Sequence, residues 1–165
     1  MSTLPKALLA DLYRFAWLIA GEAALAEEAL ASAVAELPKL EQLRSAASRS
    51  ARLVQHIRQH CLRSKPAAET APRLLRSPEE NSLEMPEFLD IEAYIVAQRF
   101  QTLPEPERSA LALFYLPLIS QRESATLLGQ TVEQYCEALG RARERLYETL
   151  QTLRQPAGAP SSLTV

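Results

Sequence analysis

Glycine is scarce in this chain, at four of 165 residues, and β-branched side chains are thin on the ground. Too little of either is present for a sheet with tight hairpins, so strands are excluded as the main architecture. No apolar run approaches 18 residues, which argues against a membrane-spanning helix, and the opening M-S-T-L-P-K has no charged-then-apolar signal pattern. A cytoplasmic location is the expected default. The two cysteines, Cys61 and Cys136, have neither metal nor redox spacing. Both fall within predicted helices, which suits small buried side chains in a reducing compartment. No cofactor or metal is expected. His56, His60 and Cys61 lie on neighbouring turns, but no carboxylate joins them at ligand spacing in the sequence, so enzymatic chemistry is not expected.

What is abundant is alanine and leucine, and 47% of the residues are hydrophobic. Together they predict an all-α fold that needs no disulfide or metal. Pro5 to about Ile19 carries Leu8, Leu12, Phe15 and Ile19 on one stripe, widened by Leu9, Ala16 and Trp17 and ended by Gly21. A second helix is expected from about Glu22 to Leu37, with Leu25, Ala29, Ala33 and Leu37 inward and Pro38 as its stop. A third is expected from about Leu40 to Arg63 along Leu43, Ala47, Ala51, Val54, Ile57 and Cys61. Residues 1–65 then form one helical module. Residues 66–86 contain Pro66, Pro72, Pro78 and Pro86 and no periodicity, and read as an acidic, mobile linker. Helices are expected again from about Glu87 to Phe100, through Tyr115, from Ser120, and from Val132 to Leu153, making a second module over 87–154. The tail, 155–165, reads as disordered.

Net charge is −2, yet it is unevenly spread. Residues 1–65 hold nine cationic against six anionic side chains, residues 66–102 three against seven, and residues 103–150 five against seven. From Gln42 to Ala68 there are Arg44, Arg49, Arg52, Arg58, Arg63 and Lys65 and no acid. Arg49, Arg52, Arg58 and Arg63 are candidates for a surface that holds phosphates or an acidic partner. A solvated face paired with acids elsewhere fits the same residues. A reader of single strands would also offer exposed aromatics, and this helix has none.

Ser120 to Leu146 reads S-Q-R-E-S-A-T-L-L-G-Q-T-V-E-Q-Y-C-E-A-L-G-R-A-R-E-R-L. Ser120 and Glu123 have the spacing of a capping box, Ala125 is small enough for the angle between two helices, and Leu128-Gly129 supplies a turn. Thr131 can cap the next helix, with Val132 and Tyr135 inward. This predicts a helix-turn-helix, with a plain helical hairpin as the alternative. The positions that would face DNA are Glu133, Gln134, Cys136, Glu137 and Ala138, and no cation occurs in this second helix before Arg141. Gln130, Thr131, Gln134 and Arg141 are the remaining candidates for nucleic-acid contact, while Glu133 and Glu137 would repel phosphates.

The order of these pieces resembles the extracytoplasmic-function class of bacterial RNA polymerase sigma factors. The match is carried by L-P-E-P-E-R-S-A-L-A-L-F-Y-L-P-L-I-S-Q-R-E-S-A-T-L-L-G and R-A-R-E-R-L-Y-E-T-L, and more softly by L-Y-R-F-A-W-L-I-A-G-E-A-A-L-A-E-E-A-L and R-S-A-R-L-V-Q-H-I-R. The resemblance implies a polymerase-docking helix, with Glu27, Glu28, Leu30, Ala31 and Val34 as its contact residues. It implies upstream promoter contacts on the helix from Arg49, and a C-terminal helix-turn-helix for the more distant element. Departures fall on the contact surfaces. Ala31 and Val34 replace an amide-bearing residue and a phenylalanine, Ser45-Ala46-Ala47 lacks the usual aromatic, and Cys136 and Ala138 stand at basic positions. Two functions follow. One is a divergent sigma factor that binds polymerase core and makes weakened promoter contacts. The other is a sigma-like module, without a receiver domain, that binds an anti-sigma or other regulatory protein. An exposed apolar face on the first two helices would also suit a homodimer.

Overall fold

The computed structural model describes residues 4–40, 45–64, 91–116 and 118–154. The expected linker and tail, together with Arg44 and Lys65, lie outside the described residues. Every regular element among those described is a helix: α1 (Lys6–Ala20), α2 (Ala23–Ala35), α3 (Leu37–Leu40), α4 (Ala46–Ser64), α5 (Ile91–Phe100), α6 (Glu107–Tyr115), α7 (Gln121–Leu127) and α8 (Val132–Arg154). The all-α reading therefore holds.

In the N-terminal group, α1, α2 and α4 pack on one another. Leu12, Phe15, Ala16 and Ile19 of α1 meet Ala26, Ala29 and Ala33 of α2 and Leu53, Val54, Ile57 and Cys61 of α4, all of them buried. Alanine at 26, 29 and 33 lets α2 lie close to its neighbours. The bulk comes from α1 and α4, where each large side chain buried is worth about 1.5–3 kcal/mol. Cys61 donates its thiol to the Ala16 carbonyl at 3.8 Å. Several sequence expectations shift here. Leu9 and Ala47 are exposed rather than on the inner stripes. Pro38 does not stop α2, which has already ended at Ala35; it sits in the first turn of α3, where its missing N–H costs no hydrogen bond. The helix expected from Leu40 starts instead at Ala46, where Ser45 Oγ accepts from the Ser48 N–H at 3.0 Å.

The C-terminal group is built on α8, which carries α5, α6 and α7. Tyr135, Ala138, Leu139, Ala142 and Leu146 form its buried seam, against Leu111, Leu113 and Ala125. The Tyr135 hydroxyl donates to the Ala110 carbonyl at 3.1 Å inside the core.

The two groups meet where α1 and α6 pack and where α4 reaches α7. Gly21 closes α1 at φ 78 and donates its N–H to the Trp17 carbonyl. A Cβ there would lie 2.8 Å from Gln101 Oε1 and 2.9 Å from its Cδ. Glycine thus suits the left-handed backbone, and a side chain there would also displace the Gln101 amide. The Gln101 amide in turn donates to the Leu18 carbonyl.

Candidate partner-binding surfaces

The turn of the helix-turn-helix is fixed by two reciprocal caps. Glu123 N–H donates to Ser120 Oγ at 3.3 Å, and Glu123 Oε2 accepts from the Ser120 N–H at 2.8 Å and hydroxyl at 2.7 Å. Those bonds, from the hydroxyl and then the backbone, hold the Glu123 carboxyl below the usual carboxylate range. Ala125 is buried, and Gly129 turns the chain at φ 67 with nothing near its α-carbon to exclude a side chain. At the start of α8, Gln134 N–H donates to Thr131 Oγ1 at 3.2 Å and Thr131 N–H donates to Gln134 Oε1 at 2.9 Å. Two of the three polar candidates for DNA contact therefore also serve as the cap. The third, Gln130, has a buried Oε1 with no hydrogen-bond partner among the described residues.

The exposed face of α8 differs from the expected one. Ala138 is fully buried and Val132 is 38% exposed, so the first is packing and the second is surface. Cys136, expected to be buried, is exposed, and Gln121 Nε2 lies 2.9 Å from its Sγ. Glu133, Gln134, Cys136 and Glu137 remain on the outside. A backbone hydrogen bond and the Thr131 hydroxyl hold the Glu133 carboxyl below its ordinary range, so the helix N-terminus presents a stable negative charge.

The arginines further along α8 are engaged within the protein. Arg141 Nε donates to Glu107 Oε1 at 3.2 Å, and Arg145 Nε lies 3.3 Å from Oε2 of the same carboxylate, which is buried. That second approach is an ion pair without hydrogen-bond alignment, since Oε2 accepts no hydrogen bond. Arg141 also reaches Glu137 at 3.9 Å. The Arg143 guanidinium sits 4.2 Å from the centre of the Phe114 ring, a cation–π contact. Sequence alone offered no signal for Glu107, which lies 34 residues away on another helix.

The α4 arginines divide into two sets. At about 100° per residue, Arg49, Arg52 and Arg63 fall within about 60° of one another, and Arg58 falls on the opposite side. Arg52 and Arg63 are exposed and Arg49 half-buried. Arg52 opens into a cleft shared with Glu36, Lys39 and His56. Arg63 Nε donates to the Gln59 carbonyl. Arg58 instead enters the junction between the two helical groups. Its Nε donates to Ser109 Oγ at 2.9 Å and its Nη2 lies 3.3 Å from Glu105 Oε2.

On α2, Glu27, Glu28, Ala31 and Val34 are exposed and Leu30 is half-buried, so the docking candidates share an open face. Glu28 Oε1 is 3.4 Å from His60 Nε2, and His56 Nε2 is 2.9 Å from Ser32 Oγ. The carboxylate missing beside the histidines in the sequence is thus supplied by α2. Even so, no group of three or more metal-ligating side chains forms among the described residues. Nor, among them, is any helix long and apolar enough to cross a membrane.

No protein-family model matches the chain. No curated protein matches it either. Among solved structures, it is similar to the sigma factor RpoE from Bartonella quintana, determined in a co-crystal with the anti-sigma factor NepR. The TM-score is 0.67 at 18% sequence identity, over 88% of this chain and 92% of that one. The chain therefore has the fold of that sigma factor, as the resemblance implied.

Proposed function

We propose that this chain is a sigma-like regulator of bacterial transcription whose main contacts are with protein, a regulatory partner of the anti-sigma class, rather than with promoter bases. The observation that carries this is the Arg141–Glu107–Arg145 arrangement. Two cations that would otherwise face phosphates share a buried carboxylate, and the helix start ahead of them presents Glu133 and Glu137. Phosphate contact needs cations free to replace counterions, and base reading needs polar side chains free at the helix start. The fold supports the partner class, because the similar sigma factor was crystallised with an anti-sigma factor.

A second reading keeps polymerase as a partner. It is favoured by the open α2 face, where Glu27, Glu28, Ala31 and Val34 lie side by side. Affinity capture of the tagged chain from its native cell, followed by protein identification, separates the two. Recovery of a small regulator without polymerase subunits supports the first reading. Recovery of polymerase core alone overturns it in favour of the second.

A further inference from the structure

We propose that Glu105 is a clasp that holds the two helical groups closed and, while closed, withholds Arg58 from any external anion. Glu105 is three-quarters buried, and it gathers groups from both sides of the junction. Oε2 accepts from Ser109 Oγ at 2.7 Å and faces Arg58 Nη2 at 3.3 Å, while Oε1 faces Arg108 Nε at 3.3 Å. Arg58 belongs to α4, and the other three residues belong to α6 and the turn before it. Arg108 extends the network through Nη1 to the Gln101 carbonyl at 3.5 Å, and Gln101 in turn reaches Leu18 of α1.

The charges make the clasp directional. Two guanidiniums converge on one carboxylate, with Arg58 and Arg108 only 19% and 11% exposed. Without Glu105 those two cations would repel one another across the junction in a poorly screened setting. Arg58 has Nε committed to the fully buried Ser109 and Nη2 to Glu105, so a phosphate or carboxylate from outside must displace these partners to engage the guanidinium in the closed state. Closure and use of Arg58 are therefore alternatives, and an anion that engages Arg58 favours opening by its differential affinity for the open state. This holds whichever partner the chain takes.

The test uses the full chain with spin labels on the exposed native Cys136 and on a cysteine introduced by Ala24→Cys, an exposed α2 position. Distances are read by pulsed electron resonance. The parent should give one narrow distribution. Glu105→Arg should give a broad, longer one with helicity retained, and Arg58→Glu combined with Glu105→Arg should restore the narrow one. Should Glu105→Arg fail to fold, the isosteric Glu105→Gln should still add a longer population. Inorganic polyphosphate is the second probe. Its affinity should rise about five-fold or more in Glu105→Gln, the usual lower range for coupled sites, and this gain should vanish when Arg58→Gln is added. A folded Glu105→Arg with the parent's narrow distribution, or unchanged distances in Glu105→Gln, overturns the clasp. Polyphosphate affinity that ignores Arg58 overturns the withholding.

Discussion

Arg141 of α8 donates through Nε to Glu107 of α6 at 3.2 Å, and the acceptor is only 7% exposed. A cation on the second helix of the helix-turn-helix is thereby also a structural partner for a buried carboxylate. Glu107→Gln keeps the shape and removes the charge that collects Arg141 and Arg145. It is expected to cost about 1–2 kcal/mol in urea unfolding, discounted because both arginines are half exposed. It should also raise affinity for non-specific duplex DNA, since two guanidiniums become free for phosphates.

Gly21 and Gly129 provide an internal comparison. Both have positive φ, but only at Gly21 would a new Cβ meet another side chain, that of Gln101. Gly129→Ala should cost about 1–2 kcal/mol, the penalty of the left-handed backbone alone. Gly21→Ala should cost more, and in a Gln101→Ala background its cost should fall to that of Gly129→Ala. Thermal or chemical denaturation of the four variants checks this.

The capping box makes a pH prediction. Glu123 is held below its ordinary value of 4.5 by Ser120 in the folded chain. Its contribution to stability is therefore complete above that value and is lost as pH falls through the lowered one. Ser120→Ala removes the acceptor for Glu123 N–H and the hydroxyl donor to Glu123, and should cost about 1 kcal/mol at neutral pH. The gap between Ser120→Ala and the parent should narrow when unfolding is measured at progressively more acidic pH below that range.

Tyr135 tests the core of the C-terminal group. Its hydroxyl serves the Ala110 carbonyl at a site where water has little access. Tyr135→Phe should cost about 1–2 kcal/mol, because a buried carbonyl loses its side-chain donor.

The helices, the Ser120–Glu123 cap and the Gly129 turn were legible in the sequence because each rests on neighbours within four residues. The face of α8 was less so. Cys136 and Ala138 lie about 200° apart around α8, so they do not share a face: Ala138 falls in the buried stripe with Tyr135, Leu139 and Ala142, and Cys136 lies outside it. Arg58 was expected on one surface with Arg49, Arg52 and Arg63; helical geometry puts it on the opposite side, but does not place Glu105 and Ser109 beside it. Those partners lie about fifty residues away, across the expected linker. The pairings of Glu107 with Arg141 and of Glu28 with His60 were invisible for the same reason, since each joins residues on two helices.

Engagement of the α8 arginines by Glu107 is tested most directly by the salt dependence of duplex DNA binding. Each phosphate neutralised contributes about 0.9 to the slope of log affinity against log salt. Fluorescence anisotropy with a labelled mixed-sequence duplex, titrated across salt concentrations, should give the parent a slope of no more than about 2 in magnitude. Glu107→Gln should steepen it by up to about 2, one increment for each released arginine. A parent slope of about 6 or more, unchanged by Glu107→Gln, would mean that these arginines are free for DNA and would contradict the account.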